Sequence, residues 1–435
     1  MPNDEGLSAR RAALDLFKAA LARRGGVEEA LEHKGFSGLE PRERAFAHAL
    51  AMVVLRRRGQ IDALIRARLQ KPTPDEVVDL LRLGLAQLLF MEVPSHAAVA
   101  TTVELASAGR STRPFKGLVN AVLRGVGRDG PFADDPEALA PAWLFARWRA
   151  AYGEENARAM AAMIAAEPLT DLTLRHPDDA GPLAEMLEGE MLPGGTLRTA
   201  SRGDLTEWPG YAEGRWWVQD ASAAVPARLL HAMPGEDAID LCAAPGGKTL
   251  QLAAAGARVT ALDRSAARLK RLEQNFTRMK LQAEIVAAPA ETWDDPRRFD
   301  AVLLDAPCTS TGAFRRHPDA LWATQPADIA KLAQVQARLL DAAAGRLKPG
   351  GRLVYCTCSL EPEEGEAQVE GVLARRPDLR LDPIAPGEGG APEASLTPRG
   401  TLRILPHHLA GGTDGFFAAR FVALPQGDAT AKSST

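Results

Sequence analysis

Three of the four cysteines in this 435-residue chain stand where a short apolar run gives out, a place where a thiol can do chemistry. Cys308 lies in AVLLDAPCTSTG, three residues after Asp305, and Cys356 and Cys358 lie in LVYCTCSLEPEE. A thiolate is a strong nucleophile near neutral pH, and a second thiol or a carboxyl group beside it can move the protons that covalent catalysis requires. Cysteine is also among the most often buried residues, so Cys242 and Cys356, flanked by strand-like sequence, are read as core or supporting positions. Cys308 sits among Thr309, Ser310, Thr311 and Gly312, a composition that argues against simple burial. Cys356 and Cys358 are two residues apart and share a side for as long as a strand lasts; Cys358 is the outer of the two.

A second set of residues suits a cofactor. AIDLCAAPGGKT runs from Ala238 to Thr249, and its glycines let backbone approach a ligand closely while the following helix start presents N–H groups to something anionic. A phosphate-binding G-x-x-x-x-G-K loop would need glycine where Cys242 stands, and the dinucleotide G-x-G-x-x-G is absent. The remaining fit is the aminocarboxylate and sulfonium of S-adenosylmethionine. Asp263 closes VTALD 17 residues after Gly246, where a carboxylate can take both ribose hydroxyls. An electrophilic methyl group beside paired thiols suits methylation of cytosine C5, a poor nucleophile until a thiolate adds at C6. In that reading Cys358 is the nucleophile, Asp305 polarises the base near N3, and Cys308 serves product release, with Cys308 the rival nucleophile.

The elements that must position these residues follow from periodicity. From about Tyr211, short apolar runs (238–241, 259–262, 284–286, 301–304 and 353–355) alternate with helices such as 265–279, where Leu269, Leu272 and Phe276 share a face. That alternation predicts a doubly wound sheet with ligands at the carboxyl ends of the strands, and every motif above falls at such an end. Residues before 130 read as helices only. Leu14, Phe17 and Leu21 recur at helical spacing; a segment from Arg42 buries Phe46, Leu50, Val53 and Val54 and ends in Arg56, Arg57 and Arg58; others cover 75–90, 97–108 and 115–126. GRDGPFADDP (127–136) reads as a linker, and 137–212 as a small mixed region with a helix around Trp143, Phe145 and Trp148 and a short strand at 172–174.

Composition bounds the rest. With 46% hydrophobic and 25% charged residues the chain reads as globular, and its length calls for two or three domains. No apolar run is long enough to span a bilayer, and the acidic MPNDEGLSAR start is unlike a secretory signal, so a cytoplasmic location and no membrane partner are expected. The cysteines lack paired C-x-x-C spacing, so free thiols and no metal are expected. The net charge of −4 divides as +4 over residues 1–150 and −8 over the remainder, a mild hint of a polyanion partner at the N-terminal end.

Together these residues resemble the Sun-type RNA cytosine-C5 methyltransferases, in particular the bacterial small-subunit ribosomal RNA branch that carries a NusB-like N-terminal domain. SHAAVATTVELA and GLVNAVLRGV resemble the NusB-type RNA-binding helices; VQDASA (218–223) and DGFFAARF (414–421) are similar to family phrases. The family's C-A-A-P-G-G-K loop matches Cys242, Ala243, Ala244, Pro245, Gly246, Gly247 and Lys248, which the resemblance implies bind cofactor together with Asp263 and Asp305. It further implies Cys358, in Thr357-Cys358-Ser359, as nucleophile and Cys308 as the residue assisting release. Arg315, Arg316 and His317 follow the Pro-Cys loop as in the family and are candidates for RNA phosphate. Where the family has an acid for the adenine end of the cofactor, this chain has Pro289; either Glu291 substitutes or that contact is lost.

The expected fold class is α/β: a Rossmann-like S-adenosylmethionine-dependent methyltransferase domain (213–426) preceded by an all-α NusB-like domain (1–136) and a connecting domain (137–212), with a flexible tail (427–435). The expected partner is RNA, small-subunit ribosomal RNA, bound by a monomer at an exposed or single-stranded cytosine. The alternative is a non-catalytic RNA-binding or assembly factor, against which the intact loop, Asp305 and both cysteines weigh.

Overall fold

The computed structural model describes residues 4–22, 26–31, 36, 38–129 and 134–425; the expected tail and part of the expected linker lie outside them. The chain divides into two compact units, Met1–Glu167 with Phe314–Thr324, and Pro168–Ala313 with Gln325–Thr435.

The first unit is helical. Helices α1 (Asp4–Ala22), α2 (Gly26–Leu31), α3 (Pro41–Arg66), α4 (Asp75–Phe90), α5 (Ser95–Ala108) and α6 (Lys116–Asp129) enclose a core that includes Phe17, Leu50, Leu55, Leu81 and Leu123. Asp75 and Glu76 occupy the first turn of α4, where carboxylates oppose the positive end of the helix. The helix expected to end at Arg58 continues to Arg66, because Gln60, Ile61 and Ile65 prolong its buried face. The arginine triplet is therefore internal, and Arg56 is buried rather than displayed.

Helices α7 (Ala142–Tyr152) and α8 (Glu154–Ala165) belong to the same unit, which runs past residue 136 because Leu144, Phe145, Trp148, Met160 and Ile164 are all buried. The Arg56 guanidinium donates to the carbonyls of Ala166 (3.1 Å) and Arg315 (2.6 Å), and burial lowers its pKa to about 10. Phe314 lies 5.7 Å from Trp148, and Trp322 Nε1 donates to the Leu55 carbonyl at 3.0 Å. Gly59 permits this packing, since a Cβ there would lie 2.0 Å from the Ala138 carbonyl oxygen.

The second unit holds two sheets. The smaller is antiparallel, in the order β2 (Glu190–Leu192), β3 (Thr196–Thr199), β1 (Thr170–Leu174) and β4 (Trp216–Val218). Helix α9 (Ala180–Met186) supplies Leu183 to its core, with Leu172, Leu197 and Trp216. Inside this sheet Asp171 and Arg198 pair at 2.7 and 2.8 Å, and Asp171 also accepts the N–H of Ala221 at 3.0 Å, at the start of α10 (Ala221–Leu229).

The larger, eight-stranded sheet is built from β5 (Asp237–Leu241), β6 (Arg258–Asp263), β7 (Glu284–Ala287), β8 (Phe299–Asp305), β9 (Leu347–Thr357), β10 (Leu379–Leu381), β11 (Leu402–Ile404) and β12 (Phe416–Ala423). Its order is β10-β12-β9-β8-β5-β6-β7, with β11 on β12. Strands β5 to β9 are parallel, whereas β12 enters antiparallel beside β9. Helices α11 (Gly247–Ala254), α12 (Ala266–Met279), α13 (Pro326–Ala344) and α14 (Glu366–Arg375) accompany it. Strand alternation separates one apolar face, with Ile239, Val302, Leu304 and Tyr355, from the other, with Ala238, Leu303, Val354 and Cys356. Among the described residues no helix is long and apolar enough to cross a membrane.

Candidate active site

The sheet brings the chemistry-bearing residues to the carboxyl ends of β5, β6, β8 and β9. After β5 the backbone turns sharply: Cys242 has φ +71°, Ala244–Pro245 is cis, and Gly246, with φ +109°, opens α11. A side chain at Gly246 would be strained by that φ and would place Cβ 3.0 Å from Leu272 Cγ, so only glycine fits the cradle. Asp263 is buried and braces the loop. One oxygen accepts the Ala244 N–H at 3.2 Å, the other the Ser265 N–H at 2.8 Å, and Arg268 stands 3.6 Å away. Beneath the loop, Asp240 accepts a hydrogen bond from Thr249 at 2.7 Å, while its Oδ1 is buried without a partner; burial raises this carboxyl to about 7. The Cys242 thiol is pushed up by burial and then by Asp263, so it stays protonated. Glu291 is exposed beyond the end of β7, and Pro289 caps a turn there by accepting the Thr292 N–H.

Lys248 reaches from α11 to the end of β8, where its Nζ lies 2.7 Å from Asp305 Oδ2 and 4.9 Å from the Phe416 ring centre. Burial would lower the ammonium's pKa, but the Asp305 carboxylate outweighs it and the net shift is upward. Cys356 pairs in register with Asp305, is buried, and donates its thiol to Asp305 Oδ1 at 3.5 Å. Burial and that carboxylate both hold it protonated. Strand β9 ends at Thr357, so Cys358 is the first residue beyond it.

Cys358 is half-buried, with its sulfur 3.5 Å from Cys308 Sγ and 3.6 Å from Ser310 Oγ. The hydrogen bond from Cys308 lowers its pKa against burial and the charge of Asp305. The same contact raises Cys308, with burial and the charges of Cys358 and Glu364 adding to it. Both directions favour a Cys308 S–H that donates to Cys358 when the Cys358 thiol ionises. The two loops are also tied by backbone: Ala306 N–H donates to the Cys356 carbonyl at 3.0 Å and Gly312 N–H to the Cys358 carbonyl at 2.9 Å.

The structure thus gathers Cys308, Cys358, Asp305 and Lys248, places the glycine loop with Asp263 alongside, and leaves Cys242 as a half-buried and Cys356 as a buried thiol. It does not bring Arg315 to the surface: that side chain is buried, and of its neighbours Arg316 is exposed. Two family-like phrases meet at Asp220 of VQDASA, whose carboxylate accepts from Thr413 Oγ1 (2.9 Å) and Asp414 N–H (3.1 Å). Sequence reasoning missed Asp240, although a carboxyl inside an apolar strand was a readable signal. It also missed Glu364, which no spacing rule separates from its acidic neighbours.

The family model described as 16S rRNA methyltransferase RsmB/F matches residues 227–422, and the NusB family model matches 7–128. Ribosomal RNA small subunit methyltransferase B of Cronobacter sakazakii is 36% identical over 413 residues, covering 90% of this chain and 92% of that protein. The protein of the same name from Pseudomonas syringae pv. tomato is 36% identical over 97% of this chain and 98% of its own length. The chain belongs to the RsmB/F family of 16S rRNA methyltransferases. The crystal structure of PH0851 shares the fold with a TM-score of 0.75 at 24% identity, covering 95% of this chain and 98% of that one. A methyltransferase homolog from Pyrococcus horikoshii aligns with a TM-score of 0.55 at 28% identity, over 65% of this chain and 95% of its own. As a member of the family the chain is an S-adenosylmethionine-dependent methyltransferase acting on RNA.

Proposed function

We propose that this chain methylates C5 of a cytosine in small-subunit ribosomal RNA through a covalent adduct between Cys358 and C6. The observation that carries the assignment is the thiol pair at the carboxyl edge, 3.5 Å apart and displaced in opposite directions in pKa. S-adenosylmethionine, held by Cys242–Lys248 and Asp263, supplies an electrophilic methyl group. The residues present fit it: the left-handed turn at Gly246 opens α11, whose first N–H groups suit a carboxylate, and the unpartnered Asp240 Oδ1 suits the amino group of a methionine moiety.

The Cys358 thiolate adds to C6, and the C5–C6 π pair moves toward C5 and N3. Asp305, fixed by Lys248, hydrogen-bonds the N3–N4 edge. Once the charge has left Cys358, Cys308 loses what kept it protonated and gives its proton to the ring. C5 would take the methyl group as the S–CH3 bond breaks, its electron pair staying on the sulfur. Cys308 then removes the C5 proton, the S–C6 bond breaks with its electron pair returning to Cys358, and the N3 proton leaves to solvent. The target base is one that can leave its stack.

In this reading the helical unit, Met1–Glu167 with Phe314–Thr324, holds RNA, and Pro168–Ala313 with Gln325–Thr435 carries the reaction. Four free cysteines suit a reducing cytoplasm. The test is to incubate unmethylated ribosomal RNA and S-adenosylmethionine with Cys308→Ala and, separately, Cys358→Ala, and to run a denaturing gel. A covalent protein–RNA band with Cys308→Ala and none with Cys358→Ala is expected. The reverse pattern would make Cys308 the nucleophile, and normal turnover by Cys358→Ala would overturn the mechanism.

A further inference from the structure

One buried acid is left unused by this mechanism. Glu364 lies in the turn between β9 and α14 with no accessible surface, yet its carboxylate receives hydrogen bonds from both cysteine loops. Thr309, the residue after Cys308, gives its N–H at 3.1 Å and also its hydroxyl. Ser359, the residue after Cys358, gives its hydroxyl at 2.5 Å. Gln336 of α13 donates to Glu364 at 2.9 Å and to the Pro307 carbonyl at 2.9 Å, so Cys308 is held from both sides in sequence. The backbone of Glu364 is itself fixed, its carbonyl accepting from Tyr355 Oη at 2.7 Å and from Thr357 Oγ1 at 3.3 Å.

Burial raises the Glu364 pKa, while the hydrogen bonds from Ser359, Thr309 and Gln336 oppose that by favouring the ionised form. A buried anion with only neutral donors is costly to maintain, and a purely structural tie between two loops could be made with an amide or hydroxyl. What the charge adds is an effect on the thiols: it is one of the charges that raise the Cys308 pKa.

We propose that Glu364 is the positioning residue of the thiol pair: it clamps the two cysteine loops at the working sulfur–sulfur distance. It touches neither sulfur and acts through Thr309 and Ser359. The inference rests on Cys358 being the nucleophile.

The test compares Glu364→Gln with the wild type in steady-state methylation of ribosomal RNA across pH, with cofactor affinity by calorimetry alongside. Glu364→Gln keeps the side chain's length and removes its charge. The expected result is a kcat lower by about 100-fold, the scale of an ångström misplacement, with KM for RNA and cofactor affinity little changed. The acid limb of the pH–rate profile should move to lower pH, because removing a negative charge eases ionisation of the thiol pair; a role confined to folding would not move it. The double variant Thr309→Val/Ser359→Ala, which keeps the carboxylate but cuts the hydroxyl ties, covers the case in which Glu364→Gln does not fold. It should lower kcat at least tenfold. Wild-type kcat and pH profile in Glu364→Gln, or wild-type kcat in the double variant, would overturn the clamp while leaving the Cys358 adduct intact; loss of the adduct assignment in the gel experiment would instead remove the reading beneath it.

Discussion

The two halves of the carboxyl edge are held by different means. Around β5 and β6 the cofactor cradle is a backbone object: a left-handed glycine, a sharp turn, and one carboxylate that accepts two main-chain N–H groups. Around β8 and β9 the thiol pair is held largely by side chains meeting at Glu364. The first arrangement tolerates no side chain at Gly246, where the backbone is left-handed and Leu272 packs close. The second fixes two sulfurs whose proton, in the proposed mechanism, moves between them and the ring. A cradle needs shape, and a proton relay needs tuned charge, so the two halves draw on different residue types.

That contrast can be broken experimentally at Lys248, which starts in the cradle loop and ends on Asp305. Lys248→Met is expected to lower kcat by about 100-fold, the scale of losing one preorganised electrostatic partner, and also to weaken cofactor binding. An effect on only one of the two quantities would show that the halves are independent. A sharper separation is expected at Asp263. Its replacement by alanine should raise the cofactor dissociation constant about 10- to 100-fold, the worth of a hydrogen bond to a charged group, with kcat at saturating cofactor nearly unchanged; an unaltered calorimetric constant would remove Asp263 from the cradle.

The smallest effect concerns Asp240. Its folded pKa of about 7 lies above the roughly 3.9 of an unfolded aspartate, so between those values the folded state binds more protons. The stabilisation from protonated Asp240 is therefore largest near pH 4 and is lost as pH rises through about 7. The melting temperature of the wild type minus that of Asp240→Asn should fall over that window. A flat difference would mean that Asp240 is not held protonated.

What the sequence made legible follows the same division. Strands β5 to β8 stood out because apolar runs alternate with amphipathic helices, and the cradle stood out because glycine at a strand end has few other uses. The smaller sheet was legible only at residues 172–174. All four residues of β3, Thr196–Thr199, are buried, yet three of them are polar, and Arg198 is accommodated only by its pairing with Asp171. An apolar pattern could not reveal a strand whose burial is compensated by a partner 27 residues away in sequence. Strand β12 hid for a related reason, since Arg420 is buried within it against Asp382 at 2.7 Å. At the site, Cys358 and Cys308 were legible from their motifs, whereas the order of their pKa values depended on a 3.5 Å approach that no spacing encodes. Glu364 was hidden among Glu361, Glu363 and Glu366, of which the acidic run alone would suggest a solvated turn.

The helical unit is not continuous in sequence: its segment Phe314–Thr324, with Phe314 on Trp148 and Trp322 on the Leu55 carbonyl, comes 147 to 157 residues after Glu167. A ribosome adding about 5 to 20 residues per second would therefore finish the first 167 residues on the order of ten seconds before delivering the piece that completes them. During that interval the nascent helices carry an open seat for two aromatic side chains. The piece that completes the helical unit is thus made after the Cys308 loop and before the Cys358 loop.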